Sequence, residues 1–307
     1  GTPTIHDFTY TDAAGNPQTF EFLPLVLTQA VTTPTGVLTV NSDGDWNFVP
    51  NDSYDHDAPG ASNSAGSFGY RLIDDDGSIS NTANQPIIIT DTDPTLDNTV
   101  TLAIDEENIN GSGSAGAVVD NEVTELLNIS KTQDDISDVV FNADTITQLV
   151  TQGLSSGGLD LLAANYTISN SGHTLTATAE GNTVFVLQLN NANDISGITQ
   201  SITMTLSQPF DHATAAGENN LEIQVDYSVS DIDSIVSSSL TINVTDDIPV
   251  TPVDDTTVTV VESGISVGSA NTGDNLLSND NLGADGGHIY DISYTDRSGV
   301  PQTNVAV

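Results

Sequence analysis

Two stretches of this chain set carboxylates two residues apart between β-like runs. They are Asp74-Asp75-Asp76 in RLIDDDGSIS and Asp231-Ile232-Asp233 in SVSDIDSIVSS. Side chains two apart on an extended backbone point the same way. The outer carboxylates of each turn, Asp74 with Asp76 and Asp231 with Asp233, therefore offer hard oxygen donors in one direction. Calcium takes about six to eight such oxygens, whereas magnesium keeps its waters and seldom uses an all-protein cage. Aligning Tyr70 with Tyr227 superposes the two turns, and aligning Pro94 with Pro249 puts Asp91 on Asp246. The shared plan is D-x-D, a strand, Thr-Asp and then Pro.

Charge gives a reason for that plan. The chain has 307 residues, with 43 Asp plus Glu against 3 Lys plus Arg, a formal charge of -40. Self-repulsion of that size opposes a compact state. The cations Arg71, Lys131 and Arg297 cannot balance it. Disorder would answer the repulsion, but 36% of residues are apolar and fall in ordered alternating runs, so bound calcium is the expected compensation. The same charge excludes a nucleic-acid binder, since phosphate contacts need Lys and Arg. It also disfavours anionic membranes, and no apolar run is long enough for a membrane-spanning helix. Without cysteine, disulfides and thiolate metal sites are excluded. No signal-peptide pattern opens the chain at Gly1, as expected of a segment cut from a longer protein.

The elements that must position these groups read as strands. VLTV (37–40), WNFV (46–49), residues 68–73 and IIIT (87–90) are short β-branched or aromatic runs, and Asp43-Gly44 marks a hairpin. The pattern resumes in TVTLAI, HTLTATA, TVFVLQL, SITMTL, LEIQVDYSV and SLTINV. Spacing of this kind predicts all-β, tandem immunoglobulin- or cadherin-like β-sandwich domains. Residues 144–154 interrupt it with Ile146, Leu149 and Val150 at helical spacing, Asp144 as cap and Gly153 as stop. They predict one short helix in the central domain. Trp46, in an alternating strand, is expected in the core.

One repeat sets the domain plan. IHDFTYTDAAGNPQT begins at Ile5 and IYDISYTDRSGVPQT at Ile289, an offset of 284, with nine of fifteen positions identical. The chain is thus expected to hold part of one sandwich (1–93), a complete larger one (94–248) and the opening of the next (249–307). In a sandwich whose last two strands form a hairpin, the D-x-D turn sits at the pole facing the incoming linker. For the central domain this assembles Asp231 and Asp233 from the turn, Asp91 and Asp93 from the linker, and Glu106 or Glu107 from the end of the first strand. At the next junction Asp246, Asp247, Asp254 or Asp255, and Glu262 supply the linker side. Asp74 and Asp76 are the turn of the first unit.

Other candidates are weaker. Asp55-His56 and Asp211-His212 occupy equivalent places, and their recurrence favours a structural turn over a ligand or catalytic dyad. His6, His173 and His288 carry no signal. GSGSAG (111–116) lacks the lysine of a phosphate loop. No nucleophile elbow or zinc-protease motif is present, so no enzyme is expected.

The segments PVDDTTVTVVESG, GDNLLSNDNLGADGG, GVLTVNSDGDWNFVPN and GSFGYRLIDDDGS resemble VCBS or cadherin-like repeats of giant RTX adhesins secreted by type I systems. The stretch from LSSGGLDLL to SVSDIDS looks like the longer repeats of the same proteins. The resemblance implies an extracellular, bacterial cell-surface stalk, stiffened by calcium at its junctions and supporting adhesion and biofilm formation. Its partners would be neighbouring repeats of the same chain. The G-G-x-G-x-D nonapeptide of the secretion-linked β-roll is missing from this sequence. Two alternatives stand beside the stalk. One is a glycan-binding module, with residues 105–161 as its recognition surface. The other is head-to-tail self-association into a fibre, with the terminal partial domains completing one another.

Overall fold

The structure, a computed structural model, describes residues 4–51, 62–111, 121–132, 134–213, 217–231, 234–250, 252–253, 255, 275–284 and 286–307. Asp55, His56, Asp233, Asp254, Glu262 and most of the GSGSAG segment lie outside these residues.

Alternating residues build the first unit. Its strands are β1 (Thr4–Thr11), β2 (Pro17–Glu21), β3 (Thr28–Thr32), β4 (Gly36–Asn41), β5 (Trp46–Pro50), β6 (Ser62–Ile73) and β7 (Ala83–Thr90). They form two sheets, ordered β2-β1-β6-β7 and β3-β4-β5. Ile5, Phe8, Phe68 and Ile87 from the first sheet share a core with Val31, Leu38 and Val40 from the second. The Asp43-Gly44 hairpin forms between β4 and β5, with Gly44 at φ +105°. Trp46 departs from expectation. It is 41% exposed and stands edge-on to Phe68, with ring centroids 5.3 Å apart, because β5 is the outer strand of its sheet.

The central unit follows with β8 (Thr101–Asp105), β9 (Glu122–Leu126), β10 (Asp138–Val140), α1 (Ala143–Thr151), β11 (Ser155–Ser156), β12 (Leu159–Asp160), β13 (Tyr166–Ser169), β14 (Thr174–Ala179), β15 (Asn182–Asn190), β16 (Ser201–Leu206), β17 (Asn220–Ser230) and β18 (Ile235–Thr245). One sheet runs β10-β17-β18-β8 and the other β13-β14-β15-β16-β9. Leu102, Val225 and Leu240 on the first meet Leu175, Leu187 and Met204 on the second in one core. Chain order ends with the hairpin β19 (Asp291–Thr295) and β20 (Pro301–Ala306). Every described strand pairing closes within residues 4–90, 101–245 or 291–306. The fold is all-β and sandwich-like, with one short α-helix among the described residues.

That helix starts two residues earlier than an Asp144 cap would place it. The cap is Asn142, whose Oδ1 accepts from the Asp144 and Thr145 amides, while Thr145 Oγ1 accepts from the Asn142 amide. Asp144 lies in the first turn instead, where a negative charge favours the helix dipole. Leu149 is fully buried, with Ile146 and Val150 packed beside it. Replacing Asn142 with Ala is expected to cost about 1 kcal/mol, measured as the denaturant midpoint of the central unit.

The 284-residue repeat recurs in hydrogen bonds. Asp12 Oδ1 accepts from the Ala14 and Asn16 amides, and Gln18 Nε2 donates to Asp12 Oδ2. Asp296 Oδ1 accepts from the Ser298 and Val300 amides, and Gln302 Nε2 donates to Asp296 Oδ2. Each atom pair is displaced by 284. In both copies the backbone N–H donors, Asn16 foremost in one and Val300 in the other, hold the aspartate below the usual carboxylate range.

Candidate metal centre

The β8–β18 pairing is parallel, setting Thr101 opposite Thr241 and Asp105 opposite Thr245. Both strands thus end at the same pole. Glu106 opens a 3₁₀ turn immediately after β8, and Asp246 follows β18 directly. The loop between β16 and β17 brings His212 to the same place. It lies two residues on from fully buried Phe210, whose ring is 5.7 Å from that of Phe185.

One oxygen or ring nitrogen from each of Glu106, His212 and Asp246 lies within 4.8 Å of the others. Glu106 is completely buried and Asp246 half-buried. Glu106 Oε1 accepts from the Phe210 amide at 2.8 Å and faces His212 Nε2 at 3.2 Å. His212 Nδ1 faces Asn219 Oδ1 at 3.1 Å. Asn219 Nδ2 donates to the carbonyls of Ala213 and Gly217 and to Asp246 Oδ2. Two carboxylates and one imidazole form a donor set fit for a divalent cation, set where the strand becomes linker.

This arrangement corrects the expected grouping. The sequence reading puts Glu106 or Glu107 at the pole of the Asp231 turn, but the parallel register sends β8 the other way. The 11 residues of β18 separate the poles by about 33 Å at ~3.3 Å per residue. Glu107 donates its backbone amide to Asp105 Oδ1 and stabilises the 3₁₀ turn. The Asp211-His212 pair divides its roles. Asp211 is architectural, accepting from the Gly158 amide at the β11–β12 turn. His212 belongs to the centre.

At the opposite pole the structure places Asp231 in the β17–β18 turn, as expected. Its Oδ1 accepts from the Ser234 amide at 2.7 Å, and it is 5% exposed. Asp91, in the linker after β7, is buried and Asp93 exposed. Between them lie residues 130–132 and 134–137. They bond the linker through Ser130 with Thr95 and Thr132 with Thr92. They bond the turn through Ser137 Oγ to the Asp231 carbonyl. They add a further buried carboxylate, Asp134, that sequence reasoning missed. Its only signal was the acidic run before β10, which pairs Asp138 with Ser230.

The remaining candidates behave differently. Asp74 and Asp76 are exposed in the β6–β7 turn, and Asp74 Oδ1 accepts from the Asp76 and Ser78 amides. Asp74 thus acts as a turn former. Asp247 Oδ2 accepts from the Ala284 amide, tying the linker to the 281–284 loop. Gly283 lies in that loop with φ +79°, and a Cβ there would come within 3.2 Å of the Ile248 backbone. Asp255 is exposed. No described helix is long and apolar enough to cross a membrane.

The chain matches no protein-family model and no curated protein. Among solved structures it aligns with domains 4 and 5 of the S-layer protein SbsC. That alignment has 11% identity and a TM-score of 0.19, over 76% of this chain and 78% of that one. It also aligns with the endo-fucoidan hydrolase MfFcnA4 of glycoside hydrolase family 107, at 13% identity and a TM-score of 0.12 over 80% and 42%. Similarity at these scores carries no argument about fold or function.

Proposed function

We propose that this chain is a calcium-stabilised extender segment of a bacterial surface adhesin, mechanical rather than catalytic. The observation that carries the reading is the recurrence of one hairpin, with the same hydrogen bonds, at both ends of a complete sandwich-like unit. A chain built from serial copies of one module spans distance, and each junction needs stiffening. Buried Asp91, Asp134 and Asp231 support calcium at the entrance of the central unit, in a protein whose charge demands cations. Calcium that binds the folded junction and not the unfolded chain stabilises by mass action.

The test is a thermal melt with small-angle scattering in excess calcium and then in excess chelator. At a hundredfold excess over Kd, calcium should contribute about 2.7 kcal/mol per site, and its removal should shorten the particle. Asp231→Asn should reproduce the loss. An unchanged melt and particle shape would overturn the calcium reading.

Self-association is a second reading, favoured by the C-terminal hairpin. Ile292 and Tyr294 stand 284 residues after Phe8 and Tyr10, yet are 43% and 50% exposed. A 430 Å³ cavity runs beside Ile292, lined also by Pro249, Val253, Leu277, Leu282 and Ile289. Strands of a second copy could fill it. Concentration-dependent polymers in size-exclusion chromatography would support this reading, and a monomer at all concentrations would exclude it.

A further inference from the structure

The exit pole of the central unit contains an imidazole where a calcium cage would have oxygen. Calcium takes oxygen donors, while imidazole suits zinc, copper and nickel. His212, Glu106 and Asp246 come from three separate segments and converge within 4.8 Å, so the grouping is made by the fold and not by a local acidic run.

The histidine is also oriented for a metal. Asn219 directs its amide nitrogen to the Ala213 and Gly217 carbonyls and Asp246 Oδ2, which leaves Oδ1 facing His212 Nδ1. That oxygen can only accept, so Nδ1 carries a proton. Nε2 is then the nitrogen presented to Glu106. A carbonyl-type oxygen fixing the far ring nitrogen is the usual support behind a metal-bound histidine.

Charge balance points the same way. A lone-pair nitrogen facing a carboxylate oxygen at 3.2 Å requires a proton or a cation between them. In the first unit the buried carboxylate of Asp7 is neutralised by Arg71. At the exit pole there is no such arginine. Arg71 is committed to Asp7, Lys131 to Asp135, and Arg297 is exposed in the β19–β20 turn. Two carboxylates beside one imidazole, with no arginine or lysine among them, match the charge of a divalent cation.

We infer that Glu106, His212 and Asp246 form a zinc-class cation site, separate from the proposed calcium sites, that clamps the start of the linker to the central unit. Three protein ligands leave at least one position to water. The clamp reaches the following segment through the chain itself. Asp246 would bind the ion, and its neighbour Asp247 accepts from the Ala284 amide. Binding therefore fixes the residue from which the next loop hangs.

The experiment titrates the full chain with zinc against a chromophoric chelator, in excess calcium throughout. Cobalt(II) replaces zinc in a parallel visible spectrum. The expected result is one tight site and a cobalt spectrum with nitrogen and oxygen ligation. His212→Ala should weaken the site at least about tenfold. His288→Ala, at an exposed histidine outside the cluster, should not. Asp246→Asn removes a half-buried ligand without opening the core, and should weaken the site similarly even if His212→Ala folds poorly. Absence of tight zinc binding, or equal binding by wild type and Asp246→Asn, overturns the assignment. A calcium-dependent melt without zinc binding sinks this site and leaves the stalk reading standing. Zinc binding without calcium dependence does the reverse.

Discussion

Truncating Phe8 to Ala lowers the stability of the first unit by about 3–5 kcal/mol, the usual cost of deleting a buried aromatic ring. The ring is fully buried. It meets Tyr10, Phe20 and Phe22 at centroid distances of 5.6, 5.6 and 5.8 Å. The matching change 284 residues later, Ile292→Ala, should cost less than about 1 kcal/mol. Ile292 is 43% exposed, and its hairpin pairs with no other described strand. The sole tryptophan, Trp46, lies in the first unit against Phe68, so its fluorescence follows that unit selectively in denaturant. Amide exchange along β19 and β20 follows the other. Equal losses at the two positions would mean that the C-terminal hairpin is covered as the first one is, and the contrast would be lost.

The second large effect is expected at Arg71. Asp7 and Arg71 are opposite one another on β1 and β6, and Asp7 is 2% exposed. Arg71 Nε donates to Asp7 Oδ1 at 3.0 Å and Nη2 donates to Oδ2, while His6 Nδ1 lies 2.8 Å from Oδ2. The Arg71 guanidinium holds the Asp7 carboxyl below the usual carboxylate range, against the opposing effect of burial. Removing the cation leaves a buried charge. Arg71 itself is 40% exposed, so Arg71→Met acts through the Asp7 carboxylate it leaves buried and should lower the stability of the first unit clearly at neutral pH.

The pH dependence has a definite sign. A lowered folded pKa contributes stability above the unfolded value and loses it as pH falls through the folded value. The gap between wild type and Arg71→Met should therefore be full at neutral pH. It should close progressively below the ordinary value of 3.8. Adding Asp7→Leu to Arg71→Met should recover most of the loss, since an apolar pair of similar size replaces the charges. Trp46 fluorescence in acid and neutral denaturant series reads all of this. A gap unchanged between neutral pH and acid would refute the ion-pair account.

Much of the β architecture could be read directly. Alternation in HTLTATA and VLTV marks β14 and β4, because only one face of each strand is buried. The helix is legible from Leu149 and its neighbours, while residue type alone points to Asp144 as the cap. Asn142 takes that role by also bonding Ser228 on β17, a partner 86 residues away. Trp46 was misplaced for a related reason. Alternation locates the faces of a strand, not whether the strand lies at a sheet edge.

The candidate metal ligands divide along the same line. Residue type, the D-x-D spacing and the excess of carboxylates are enough to expect bound cations and to place the turns. The 284-residue repeat was equally determined, since its turn chemistry is local: Asp12 and Asp296 each bond to backbone a few residues on. Which carboxylates meet was decided by tertiary structure alone. A parallel rather than antiparallel β8–β18 pairing reverses the pole at which Glu106 emerges. That single choice separates Glu106 from Asp231 and joins it to His212 and Asp246. Strand direction depends on long-range packing of both sheets around one core, and no spacing along the chain encodes it.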